Sequence, residues 1–250
     1  MVALKIGARD RIIVALDMDD IQTATHLADQ LKDSIKIFKV GLQLFTAGGP
    51  AVVRALQERG CQIFLDLKYH DIPNTVAQAA RLATKLGVFM FTVHTFGGSQ
   101  MLRAAAEAAK ESAIKRGVVK PLVLGVTILT SIDDNVLREE LGINRTVKDQ
   151  VLRLTGLARS AVLDGLVLSG CEVTAVRAKM GGEVVLVVPG VRPAWAGAQP
   201  ADQRRIMEPA EAIRAGADYV VVGRPITGAA NPVDAARRLV EELEEVSISS

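Results

Sequence analysis

Eight short apolar runs, each followed by a segment with helical spacing, recur from end to end of this 250-residue chain. They occupy residues 12–16, 35–40, 63–68, 89–94, 122–129, 165–169, 184–188 and 219–222. Unbroken Val/Ile/Leu stretches of this length, without apolar–polar alternation, mark strands buried on both faces of a parallel sheet. Helical spacing covers 20–32, 50–58, 74–86, 99–115, 147–162, 172–180, 208–215 and 232–245. Several of these segments end at a glycine, as at Gly60, Gly87, Gly117 and Gly216, which fits helix C-termini. Strand–helix alternation repeated eight times with no break in composition predicts one α/β domain over residues 1–250. The expected fold is a single (β/α)8 TIM barrel, with a doubly wound open sheet as the alternative. The tail, 241–250, drifts from a charged helix toward disorder.

Composition narrows the function classes. With 49% hydrophobic and 23% charged residues the chain can build a large core, which excludes intrinsic disorder. The formal net charge is only +2 and the basic residues are scattered, so no nucleic-acid partner is expected. No stretch approaches the ~20 apolar residues of a membrane span. Lys5, Arg9, Asp10 and Arg11 also interrupt any leader-like run. A soluble, cytoplasmic protein is the expectation. Cys61 and Cys171 lie far apart in apolar surroundings and read as buried free thiols rather than a disulfide or a metal site.

In such a barrel the chemistry sits at the C-terminal ends of the strands and in the loops that follow. Asp17 follows the first run, Lys39 lies near the end of the second, and Asp66 and Lys68 end the third, with Asp71 close behind. Asp66 and Lys68 should share one strand face, because side chains alternate with period two. An alternating array of ammoniums and carboxylates favours the ionised form of each member, and a lysine held over a substrate is a ready general acid. A salt-bridge cluster plugging the rim is the bland alternative. Lys39 and Asp17 on the adjoining strands turn the balance toward a reaction centre.

A second constellation, Pro189-Gly190-Val191-Arg192-Pro193 with Gly223-Arg224-Pro225, follows the seventh and eighth runs. Barrels often hold phosphate there, where glycines let backbone N–H groups approach and arginine adds charge-assisted bonds. The segment 194–206 between them lacks periodicity and reads as a lid or a plain surface loop. His26 reads as a surface or packing residue, and His70 and His94 lack the spacing of a metal site. No dinucleotide fingerprint, nucleophile elbow or P-loop is present. The pairs Gly48-Gly49 and Gly97-Gly98 read as loop punctuation.

The ten residues from Asp66 to Thr75, Asp-Leu-Lys-Tyr-His-Asp-Ile-Pro-Asn-Thr, closely resemble the signature of the bacterial-type orotidine 5′-monophosphate decarboxylase family. The resemblance continues in order through Val14-Ala-Leu-Asp17, Lys39-Val-Gly, Val126-Thr-Ile-Leu-Thr130, Pro189-Gly-Val-Arg192, Asp202-Gln203 and Val222-Gly-Arg224. It implies a cofactor-free, metal-free decarboxylase that makes UMP from orotidine 5′-monophosphate. By that resemblance Lys68 donates the proton to C6, with Asp66, Asp71 and Lys39 in its charged network. Asp17 and Lys39 would hold the ribose, and Thr130 the pyrimidine. Arg192, Gln203, Gly223 and Arg224 would close around the phosphate, with Pro189 among the substrate contacts. Asp71 and Thr75 would reach the neighbouring subunit's site, which implies a homodimer.

Two rival readings remain. Metal-dependent sugar-phosphate decarboxylases and hexulose-phosphate synthases of the same superfamily share the Asp-x-Lys-x-x-Asp pattern. Their second strand typically ends in a carboxylate ligand, where this chain carries Lys39, a cation that would repel Mg2+. A non-catalytic phospho-ligand binding barrel is the other, and the intact charged set argues against it.

Overall fold

The computed structural model describes residues 7–197 and 207–248. Eight parallel strands close into a barrel in sequence order, and β1 completes the ring against β8. The strands are β1 (Ile12–Ala15), β2 (Ile37–Gly41), β3 (Gln62–Tyr69), β4 (Met90–His94), β5 (Leu122–Val126), β6 (Gly165–Val167), β7 (Val185–Pro189) and β8 (Tyr219–Val222). Around them lie α1 (Ile21–Leu31), α2 (Leu42–Gln57), α3 (Pro73–Lys85), α4 (Gly98–Arg116), α5 (Val147–Ser160), α6 (Val173–Met180), α7 (Pro209–Arg214), the short α8 (Arg224–Thr227) and α9 (Pro232–Ile248). The barrel expectation holds, and the open sheet is excluded by closure.

Both faces of each strand are apolar because two cores meet there. Ile13, Ile37, Phe64, Met90, Leu124 and Val187 fill the barrel interior. Their alternates, such as Ile12, Val14, Phe38, Leu65 and Val188, pack outward against the helices. The expected helix-ending glycines adopt left-handed φ, with values of 80, 71, 64 and 108° at Gly60, Gly87, Gly117 and Gly216.

Several boundaries differ from the apolar pattern for identifiable reasons. Residues 34 and 35 still bond back to the Leu31 carbonyl, so β2 starts at Ile37 rather than at 35. The fifth run is apolar to Leu129, but β5 stops at Val126, beyond which Thr127 turns both its N–H and its hydroxyl onto the Val167 carbonyl. Helix α2 begins at Leu42, ahead of the expected residue 50, and bends at Gly49 (φ 54°), so the Gly-Gly-Pro punctuation is a kink within a helix. At the other end α9 stays helical to Ile248 with Leu243 and Val246 buried, which extends it past 245. Cys61 is buried, and desolvation pushes its thiol up to about 11. Cys171 departs from expectation: it sits exposed on the turn Gly170–Glu172, where only its neighbours point inward.

The end of the barrel away from the site is tied by a repeated device. Asp164, just ahead of β6, accepts the Val123 N–H and the Lys120 ammonium. Asp218, just ahead of β8, accepts the Leu186 N–H and the Arg177 guanidinium. Each carboxylate caps a strand-edge donor that would otherwise go unpaired.

At the opposite rim the rings of His70 and His94 stack with centroids 5.4 Å apart, and His94 stacks again on Phe96. Burial, then the neighbouring His70 and Lys68 charges, push the His94 imidazole down to about 4. The unfolded chain therefore binds more protons than the folded one between about pH 6.5 and 4, so acidification through this window destabilises the fold. Thermal unfolding followed between pH 7 and 4.5 should show a steeper loss of Tm for the wild type than for His94→Gln. Equal slopes would remove this histidine as the cause.

Candidate active site

Strand register assembles the charged groups. Ala15 lies opposite Lys39, Lys39 opposite Phe64, and Gly41 opposite Asp66. Phe64 fills the barrel interior and also lines the mouth, where Lys39 beside it and Asp66, two residues further along β3, are exposed to the same cavity. Asp17 follows the end of β1 into the same mouth.

The result is a chain of alternating charge. Asp17 Oδ1 lies 2.9 Å from Lys39 Nζ, which is 3.9 Å from Asp66 Oδ2. That oxygen in turn lies 2.9 Å from Lys68 Nζ. The Asp66 and Lys39 side chains are each only 12% exposed, whereas Lys68 is 30% exposed and Asp17 more than half. A carboxylate this far from water needs partners, and removing one from such a pair costs about 3–5 kcal/mol. Asp66 has three: the two ammoniums on Oδ2 and the Thr92 hydroxyl, which donates to Oδ1 at 2.9 Å.

Lys68 reaches Asp66 by a different route from regular alternation. The β3–β4 ladder is irregular between Leu65 and Tyr69, and Lys68 has φ 50°. A left-handed backbone at a non-glycine residue costs about 1–2 kcal/mol. Its N–H goes to the Thr92 hydroxyl at 2.9 Å. The shared face expected from a straight strand is thus a kink that turns the lysine back over its carboxylate.

These groups line one side of a cavity of about 680 Å3 at the C-terminal mouth of the barrel. Thr130 reaches it from the loop after β5, four residues past the strand end. The far wall is built from Pro189, Gly190 and Arg192 after β7, with Gly223 and Arg224 after β8. Gly190 has φ 75°, a conformation that favours glycine. The expected phosphate loops and the expected charged set therefore line one space.

Two expected site residues are not in that wall, and a third falls outside the described residues. Asp71 and Thr75 are exposed and absent from the lining of their own chain's cavity, and Asp71 accepts the N–H of Ile72 at 2.6 Å. Gln203 and the rest of the segment 198–206 lie outside the described residues. On the two sides of that segment Val191 is bridged to Met207, and the Arg192 N–H donates to the Met207 carbonyl. Trp195 is fastened to α9: its ring N–H donates to Glu242 and Arg238 stacks on its face.

Residues that spacing did not single out also shape the site. Thr92 looks like one more apolar-run residue. Gly41 has an ordinary φ of −94°, but a Cβ there would lie 2.9 Å from Lys39 Nζ and 3.3 Å from Asp17 Oδ1. The ion pair occupies the space a side chain would need. Gln43 and Ser131 also line the cavity. Among the described residues no group of three or more His, Cys, Asp or Glu side chains is placed to hold a metal ion, and no helix is long and apolar enough to cross a membrane.

The chain is similar to known proteins along almost its whole length. A protein named orotidine 5′-phosphate decarboxylase from Moorella thermoacetica is 52% identical over 243 residues, covering 97% of this chain and 96% of its own. One of the same name from Syntrophotalea carbinolica is 50% identical, covering 95% and 96%. The crystal structure of orotidine 5′-phosphate decarboxylase from Lactobacillus acidophilus matches with a TM-score of 0.82 at 37% identity, over 94% of this chain and 99% of that one. The family model for orotidine 5′-phosphate decarboxylase / HUMPS proteins matches residues 10–239. A barrel whose mouth sets Asp17, Lys39, Asp66 and Lys68 against the loops after β7 and β8, with relatives this similar along almost its whole length, belongs to the orotidine 5′-phosphate decarboxylase / HUMPS family, and it is a decarboxylase.

Proposed function

We propose that this enzyme converts orotidine 5′-monophosphate to UMP and CO2, in the cytoplasm, as a step of pyrimidine nucleotide synthesis, without cofactor or metal. The observation that carries the reading is the ordered chain Asp17–Lys39–Asp66–Lys68 along one wall, facing the two arginine-bearing loops. When the C6–carboxylate bond breaks, its electron pair stays on C6, and CO2 leaves. No electron sink is available in the ring at that carbon, so stabilisation must come from charge already in place. The Lys68 ammonium supplies it and then transfers its proton to C6, completing UMP. The neutral amine regains a proton from solvent.

The remaining residues have distinct roles in this reading. Asp66 aims Lys68 and, beside the substrate carboxylate, raises the energy of the ground state, a contribution whose size is debated. Asp17 and Lys39 hold the ribose hydroxyls, and Thr130 the pyrimidine. Pro189, Arg192, Gln203, Gly223 and Arg224 surround the phosphate, whose binding energy is used at the reacting centre far from it. Lys39 stands where a metal-dependent relative would need a carboxylate ligand, and a cation there disfavours Mg2+.

The exposed Asp71 and Thr75, next to an Ile72 that is 66% exposed, complete the site of a second copy in a homodimer. An apolar side chain this exposed beside an exposed acid fits a contact surface better than a solvated loop.

Three measurements test these statements. Lys68→Ala should bind UMP as the wild type does, while the rate of orotidine absorbance loss falls roughly a thousandfold or more; near-normal turnover would sink the assignment. Exhaustive treatment with EDTA should leave wild-type turnover unchanged, and its abolition would restore the metal-dependent reading. Lys68→Ala and Asp71→Ala dimers, each inactive alone, should regain about a quarter of wild-type activity after subunit exchange, because one site in each mixed dimer is intact. Recovery of nothing above the separate variants would show that Asp71 serves its own subunit or none.

A further inference from the structure

We infer that Thr92 is the positioning residue that sets the aim of Lys68, a statement that rests on the proposed role of Lys68 as proton donor. Thr92 lies in β4, is 0% exposed and does not line the cavity, so it touches no substrate atom. Its single hydroxyl nevertheless makes two bonds to the reactive pair. It accepts the Lys68 backbone N–H at 2.9 Å and donates to Asp66 Oδ1 at 2.9 Å. A hydroxyl offers one donor and two acceptor lone pairs, so it can serve both at once.

The two bonds act on different parts of the same problem. Where β3 leaves register with β4, between Leu65 and Tyr69, the Lys68 N–H goes to the threonine side chain. That bond holds the left-handed turn at Lys68 (φ 50°) and so fixes where the side chain starts. The second bond fixes the plane of the Asp66 carboxylate through Oδ1, leaving Oδ2 for Lys68 Nζ at 2.9 Å. Start and end of the lysine side chain are thereby referred to one buried atom. Reaction centres lose rate steeply when a group is displaced by an ångström. Strand β4 therefore contributes to catalysis through a residue that never meets the ligand.

Thr92→Val keeps the shape and removes both bonds; Thr92→Ser keeps the hydroxyl and loses a methyl. Each variant is assayed for orotidine 5′-monophosphate turnover, for UMP affinity, and for the number of UMP-binding sites per chain. Thr92→Val should lower kcat per binding site about 10- to 100-fold with KM and UMP affinity within about threefold of wild type. Thr92→Ser should recover to within about threefold in kcat. A purely structural role would lower Tm or the count of binding sites and leave kcat per site intact, and that outcome would overturn the inference. If Thr92→Val does not fold, Thr92→Ala and Thr92→Ser decide it: equal kcat per site in these two overturns it, and a loss in alanine alone supports it. A wild-type protein with no turnover would remove the decarboxylase reading and this inference together, whereas an active wild type matched by Thr92→Val removes this inference alone.

Discussion

The carboxylate of Asp66 is the point on which the site depends. It is nearly buried, so it is tolerable only if every lone pair is spoken for, and the surrounding structure is arranged to do that. Lys39 comes from the neighbouring strand on one side, Thr92 from the neighbour on the other, and Lys68 from two residues further along its own strand. Each of those partners has its own requirement. Lys39 needs the space left by Gly41 and the charge of Asp17, and Lys68 needs a kinked backbone. One desolvated charge thus dictates residue types on β2, β3 and β4 and in the loop after β1. Parallel strands in a closed barrel are well suited to this, since register brings fixed positions of neighbours to the same height.

The two ends of the barrel divide the labour. At one end Asp164 and Asp218 cap strand edges and pair with Lys120 and Arg177, which is charge used for cohesion. At the other, charges of both signs are held close together facing open space. An array of that kind adds little net stability, because the attraction between nearly buried charges does little more than offset the cost of taking them out of water. Its value lies in being already oriented before a ligand arrives.

Much of this was legible in the residue order. Eight apolar runs and the glycines that end helices sufficed for the barrel, and the barrel rule sufficed to read Asp17, Lys39, Asp66 and Lys68 as one group. Boundaries were less legible, because apolarity alone does not say where a strand ends: Ile128 and Leu129 continue the fifth run past Val126, the last residue of β5. The bend at Lys68 was invisible, since nothing in a lysine announces a left-handed backbone. Thr92 was hidden for a related reason, because a threonine in a strand is an ordinary strand former. Only its geometry separates it from its neighbours. The place of Asp71 rested on resemblance, as spacing from Lys68 gives no hint that it faces away from its own chain's cavity.

The left-handed turn at Lys68 has a consequence for how such a protein can be altered. Glycine would occupy that backbone without steric cost, but it would take the Lys68 ammonium away from the nearly buried Asp66 carboxylate. A search for heat tolerance that is blind to turnover would therefore leave Lys68 in place, because the roughly 1–2 kcal/mol of strain that glycine relieves is smaller than the roughly 3–5 kcal/mol lost at Asp66. The strain at this position is thus held in place by the carboxylate it serves, so that durability and chemistry ask for the same side chain at a single residue.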